Sequence, residues 1–286
     1  MGLLHTFELY LRGRGLSDHT VTDYLSTLRR FAGWVEQTYG DFDPAAVTPL
    51  DVADYRRYLL ERGRKPATVN HALDVLSSFF SWAVVEKVVQ SDPTAGVKRV
   101  REQKKAPRWL ERRELGTLVR TVRKYGSLRD QVLVMLLLHA GLRVSEVVAL
   151  RLDDVVIRER SGFVRVRQGK GDKYREVPLN VTVRRVLSEY LAGLTGEWLF
   201  PSRRGRGGHI TTRAVEKVLV RFGRLAGVEV TPHRLRHTFG KLLVDAGESL
   251  DRVATLMGHS NLNTTARYTR PSVQDLERAV EKLAWE

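Results

Sequence analysis

"GFVRVRQGKGDKYREVPL" occupies residues 162–179 and interrupts a chain that otherwise reads as helix. Val164, Val166 and Gln168 alternate with Arg165 and Arg167, a period of two with one apolar and one basic face. "GKGD" then supplies a turn, and "KYREVPL" resumes the extended pattern. Gly169 and Gly171 permit a tight turn and a close backbone approach to a ligand. With "DVVIRE" just upstream, the stretch predicts a small antiparallel sheet whose last hairpin carries Lys170 at its tip. A lysine there is by default solvent-exposed; the alternative is one offered to a ligand. The phosphate-cradling G-x-x-x-x-G-K-[ST] spacing is absent, and the turn joins two strands instead of a strand and a helix.

Outward from this sheet the apolar spacing is helical. Upstream, helices are expected over 110–125, 128–140 and 143–150. Downstream they are expected over 180–193, 212–226, 233–246, 250–257, 262–269 and 273–284. The first third is helical throughout. In "LSDHTVTDYLSTLRRFAGWVEQ" residues Val21, Tyr24, Leu25, Leu28, Phe31, Ala32 and Val35 fall on one face, with Ser17 or Asp18 as cap. Thr48 and Pro49 open a second helix that stops at Gly63, and "KPATVNHALDVLSSFFSWAVVEK" is a third. A short helix near residues 3–12 completes a four-helix unit. The fold class is mainly α (α+β): a helical domain over 1–91, a basic interdomain linker over 92–108, and a helical domain with a small sheet over 109–286.

The charge is uneven. The formal net charge is +15 with 48 Lys+Arg. Residues 1–104 hold 14 basic against 13 acidic side chains, and residues 105–286 hold 34 against 20. An excess confined to one domain points to a polyanionic partner there. The linker "DPTAGVKRVREQKKAPR" holds six basic residues; it is either simply solvated or laid along phosphates. The chain has no cysteine, which excludes disulfides, thiolate nucleophiles and cysteine zinc sites and fits a reducing cytoplasm. "MLLLHAGL" is too short to span a bilayer, and the N-terminus lacks the pattern of a signal peptide.

The residues fit for chemistry lie in the basic part. Arg143 follows a glycine turn; it is either paired to Glu146 three residues on or a phosphate clamp. In "TPHRLRHTFG", His233 and Arg236 share a helix face and His237 lies close by. A zinc site is disfavoured because Arg234 stands where the zincin motif needs Glu, and Arg236 would repel a cation. In "LMGHSNLNTTARYT", Gly258 ends a helix, His259 follows in the turn, and Tyr268 sits in the last turn of a short helix. Tyr268 is either core or a nucleophile, and Arg267 and Arg270 would favour its phenolate. No carboxylate cluster with metal-ligand spacing accompanies them. Two arginines, a lysine, histidines and a tyrosine can carry out metal-free phosphoryl transfer through a covalent intermediate.

"AGLRVSEVVALRLDDV", "QGKGDKYREVPL", "TPHRLRHTFG" and "LMGHSNLNTTARYT" resemble, in order and spacing, the four signature segments of the tyrosine recombinases, or phage integrases, in the form closest to the Xer group. Tyr24, Leu28, Phe31 and Trp34 resemble the pattern of that family's N-terminal core-binding domain. The resemblance implies Tyr268 as nucleophile forming a 3′-phosphotyrosyl bond, Arg143 and Arg236 as clamps on the scissile phosphate, and Lys170 as general acid. It further implies His233 as acid/base and His259 as a hydrogen-bond donor to the phosphate. His237 falls outside the family's six. No cofactor, metal, membrane or small-molecule substrate is implied. The resemblance implies duplex DNA as the partner, gripped between the two domains, with four protomers acting on two short sites. The closing helix "SVQDLERAVEKLAWE" carries a stripe of Val273, Leu276, Val280 and Leu283 that would dock on a neighbouring protomer or on its own domain. The absence of an arm-binding domain favours action on core sites alone. A type IB topoisomerase, which relaxes DNA by similar chemistry, is the alternative enzyme. A non-catalytic DNA-binding regulator is the alternative outside enzymes.

Overall fold

The computed structural model describes residues 2–102, 108–167, 174–202, 208–259, 262–269 and 280–281. The chain divides into two compact units, residues 1–104 and 105–286.

The first unit holds α1 (Leu3–Gly13), α2 (Asp18–Tyr39), α3 (Pro49–Glu61) and α4 (Pro66–Val85), with a 3₁₀ turn at Pro44–Ala46. Their starts are set locally. Ser17 accepts the Thr20 amide, and Thr48 and Asp51 form a reciprocal capping box with Pro49 in the first turn. The apolar faces meet in an aromatic core of Phe7, Phe31, Phe79 and Phe80. The Phe31 and Tyr55 rings meet edge to face, 5.0 Å apart, and Phe7 and Phe79 do so at 5.2 Å. The first part of the basic linker is fastened to this unit. Buried Asn70 accepts the Val100 amide at 2.8 Å and donates to the Val100 carbonyl and Glu102, while Arg56 donates to the Lys98 carbonyl.

The second unit begins with α5 (Arg112–Tyr125), α6 (Leu128–His139) and α7 (Val144–Val148). The sheet follows as β1 (Val155–Ile157), β2 (Gly162–Val166) and β3 (Arg175–Pro178), and then α8 (Val181–Leu191), α9 (Thr212–Ala226) and α10 (Pro232–Asp245). Last come α11 (Leu250–Met257), α12 (Leu262–Thr265) and a 3₁₀ turn at Ala266–Thr269. Helices dominate and the sheet is antiparallel in the order β1-β2-β3, as the sequence predicts. Val164 pairs with Val177 and faces inward, whereas Arg165 pairs with Glu176 on the outer face and bonds its carboxylate at 3.4 Å. Residues Val132–Leu138 of α6 are buried all round, which explains an apolar run too short for a membrane. Among the described residues no helix is long and apolar enough to cross one. Asp153-Asp154 sits in a 3₁₀ turn before β1, with Asp154 buried and held by Arg167.

Candidate active site

Three segments far apart in sequence converge on the C-terminal end of α11. That end exposes carbonyls without intrahelical partners and carries the partial negative charge of the helix dipole. Three guanidiniums occupy it. Arg175, from β3, points its Nε at the Leu256 carbonyl at 3.4 Å. Arg236, from α10, donates to the Met257 carbonyl. Arg143, at the start of α7, donates to the Gly258 carbonyl at 3.0 Å.

Two glycines make this approach possible. Gly141 has φ +59°, and a Cβ there would fall 2.1 Å from the Phe239 ring; its carbonyl instead accepts from Arg236. Gly258 has φ +64° and closes α11, and a Cβ would meet the Arg175 guanidinium at 2.9 Å. A glycine read from sequence as a helix stop is therefore also a space for an arginine.

Glu146 organises the cluster from beneath. Its side chain is 2% exposed. It accepts from the Arg143 amide at 2.7 Å, from Arg143 Nη1 at 2.8 Å, and from both Nη atoms of Arg175 at 3.0 and 2.8 Å. Burial alone would push its carboxyl up, but the hydrogen bonds from Arg175 and the Arg143 amide outweigh this and hold it below the usual carboxylate range. The pairing of Arg143 with Glu146 and its place in the cluster are thus one arrangement and not alternatives. Arg236 is pushed down to about 10, first by burial and then by the like charge of Arg143. It stays protonated at neutral pH. A buried cation beside two others is an unfavourable arrangement that an incoming anion relieves.

Beyond the arginines lie the other predicted residues. His259, half-buried after Gly258, has its Nδ1 2.9 Å from the hydroxyl of fully buried Thr265. Its ring stacks on Tyr268 at 6.5 Å. Tyr268 is 1% exposed and packs with Phe239, Val253 and Met257. Gly240 of α10 makes the seat, since a Cβ there would lie 2.7 Å from the tyrosine ring. The phenol oxygen is 2.8 Å from His237 Nδ1. His233, exposed one turn earlier, meets the His237 ring edge-on at 4.1 Å. Thus Arg143, Arg236, His233, His259 and Tyr268 are brought together, and Lys170 lies outside the described residues. The side chains of Arg267 and Arg270 also lie outside them; among the described residues Arg236 interacts electrostatically with Tyr268.

The phage integrase family model matches residues 108–275, and a model for the N-terminal SAM-like domain of phage integrases matches residues 3–89. The chain belongs to the phage integrase family and is a tyrosine recombinase. It is 33% identical over 283 residues to tyrosine recombinase XerA of Thermococcus kodakarensis, covering 98% of this chain and 94% of the relative. It is 33% identical over 277 residues to tyrosine recombinase XerD of Pseudomonas putida, covering 93% and 91%. In fold it is similar to the XerH recombinase bound to difH in a post-cleavage complex, with a TM-score of 0.77 at 23% identity, covering 94% of this chain and 81% of that one. It is likewise similar to a lambda integrase dimer bound to a core site, at 0.76 and 18%, covering 99% and 96%.

Within this recombinase the sequence reading missed Arg175 and Thr265 and left His237 aside. The register of β3 places Arg175 on the inward face, two residues from Val177 and paired with buried Val166, but only the fold brings α11 against it. Thr265 sits one turn before Tyr268, and its buried hydroxyl has no sequence signature.

Proposed function

We propose that this recombinase is site-specific and cuts and rejoins duplex DNA through a 3′-phosphotyrosyl bond to Tyr268. The observation that carries the reading is the convergence of Arg143 and Arg236 beside His259 and a seated Tyr268. Two guanidiniums with donors to spare match the non-bridging oxygens of a phosphodiester and stabilise the charge of its pentavalent state. His259 hydrogen-bonds the same phosphate. Tyr268 attacks phosphorus, the 5′-oxygen leaves with a proton from Lys170, and His233 moves protons at the site's open edge. The bond energy is kept in the phosphotyrosine, so rejoining needs no external energy source. Arginines supply the positive charge, and cleavage is expected to persist in EDTA.

The basic excess of residues 105–286 and the DNA in the XerH and lambda integrase complexes support duplex DNA as the partner. The working form is a tetramer on two short sites in the cytoplasm, joined by the closing helix. Of that helix's stripe only Val280 is among the described residues, helical and exposed. The helical domain read from sequence at 1–91 and the catalytic domain at 109–286 both bind the duplex, and 92–108 is the linker that joins them along the chain. Relaxation of supercoils by a topoisomerase-type reaction has no observation in its favour.

The test starts from random duplexes, selecting those the protein retains and mapping where it cuts them. Tyr268→Phe is expected to bind the selected duplex normally and to form no covalent adduct. An adduct in that variant would overturn the assignment.

A further inference from the structure

We infer that His237 is the proton acceptor for the Tyr268 hydroxyl during DNA cleavage. This deepens the reading of Tyr268 as nucleophile and rests on it. The motif reading gave acid/base work to His233, one turn earlier on α10. The fold instead sets the Nδ1 of His237 2.8 Å from the phenol oxygen, with the two rings 5.5 Å apart and inclined at 62°. That is hydrogen-bond reach for a general base acting on a proton.

The contact is built in from two sides. Gly240, three residues on from His237, clears room for the tyrosine ring, while Phe239, Val253 and Met257 close around it. The reacting oxygen is therefore held in a water-poor seat, with the Nδ1 of His237 within reach of its proton. On its own helix His237 faces His233 and adjoins Arg236. From the 3₁₀ turn it faces Tyr268, and His259 stacks on the far side of that ring. Arg143, Arg175 and Glu146 lie behind Arg236.

The step balances. The phenolic proton passes to Nδ1 as the oxygen–phosphorus bond forms. The bond from phosphorus to the 5′-oxygen breaks, and its electron pair leaves on that oxygen, which takes its proton from the general acid. The negative charge brought by the phosphate stabilises the imidazolium made in the same step. On rejoining, the proton returns from Nδ1 to the phenol oxygen.

Two measurements test this. The first needs no DNA. In the full chain labelled with ¹³C at tyrosine Cζ, the Tyr268 resonance, assigned with Tyr268→Phe, is expected to move with a histidine titration. That step should persist in His233→Asn and vanish in His237→Asn. Its absence in the wild type, or its survival in His237→Asn, overturns the inference whatever the DNA chemistry. The second uses the selected duplex with a 5′-bridging phosphorothiolate at the cut site, a leaving group that needs no general acid. Asn places an oxygen near the position of Nδ1 and can hold the hydroxyl but takes no proton. His237→Asn is expected to bind this duplex normally and to form adduct about a hundredfold more slowly, without the acid limb of the wild-type pH profile. An unchanged rate and profile overturns the inference. A wild type that forms no adduct speaks against the proposed function and leaves the first measurement to decide.

Discussion

The two units solve opposite problems with the same helical vocabulary. Among the described residues of 1–104 the buried side chains are apolar and aromatic, with Thr27 and Asn70 as the buried polar ones, both neutral. In residues 105–286 the buried set among the described residues includes Glu146, Asp154, Arg236 and Lys241. A core of edge-to-face rings gains stability from burial alone. Buried charges gain little net stability, because desolvation offsets their attraction. The second unit therefore keeps its charges for what they do to a ligand. The end of α11 takes a donor from each of Arg143, Arg175 and Arg236, and the buried Glu146 carboxylate holds Arg143 and Arg175 as well.

The largest effect that would break this contrast is on catalysis. Arg236→Ala is expected to lower single-turnover adduct formation by about a thousandfold, the scale of losing a donor to the transition state. Arg57→Ala removes an exposed arginine of the first unit, paired with Asp54, and should stay within about twofold. Equal losses in a gel assay of covalent adduct would erase the distinction.

Stability sharpens it further. Glu146→Gln strips a buried charge from two arginines and should cost the second unit about 3–5 kcal/mol in urea unfolding. The dependence on pH has a definite sign. The Glu146 carboxyl is held below its ordinary range, so its contribution is complete above the unfolded carboxylate range and fades as pH falls through the lower folded value. Acidification should therefore weaken the second unit of the wild type more than that of Glu146→Gln. A Glu146→Gln protein as stable as wild type would place the organising role elsewhere.

Gly240→Ala probes the seat of the tyrosine. A methyl inside the ring contact forces a shift that costs about 1–3 kcal/mol, and adduct formation should fall about tenfold while duplex affinity holds in a shift assay. The smallest effect is that of a simple anion. Sulfate should raise the melting temperature by about 2–4 °C at saturating concentration, and Arg143→Ala should abolish that rise. An equal rise in the variant would locate the anion outside the cluster.

The helices were legible from apolar spacing because each helix needs only its own residues to show a face, and caps such as Ser17 and Thr48 act within one turn. The hairpin was legible for the same reason, since Val164, Arg165, Val166 and Arg167 declare two faces by themselves. Arg143, His233, Arg236, His259 and Tyr268 could be named because each lies in a short motif. Their meeting could not be derived from the motifs, because it depends on 115 residues of chain folding back to set Arg143 against Gly258.

The sequence by itself determined the helical class, the small sheet, the basic second domain and the identity of five of the converging side chains, since periodicity, composition and motif are local. Only the tertiary structure decided that Arg175 shares Glu146 with Arg143, that Thr265 turns His259, and that His237 holds the Tyr268 hydroxyl. Those are relations across space, fixed by how α10 and α11 pack, and hydrogen-bond partners chosen by packing leave no periodic trace in the chain.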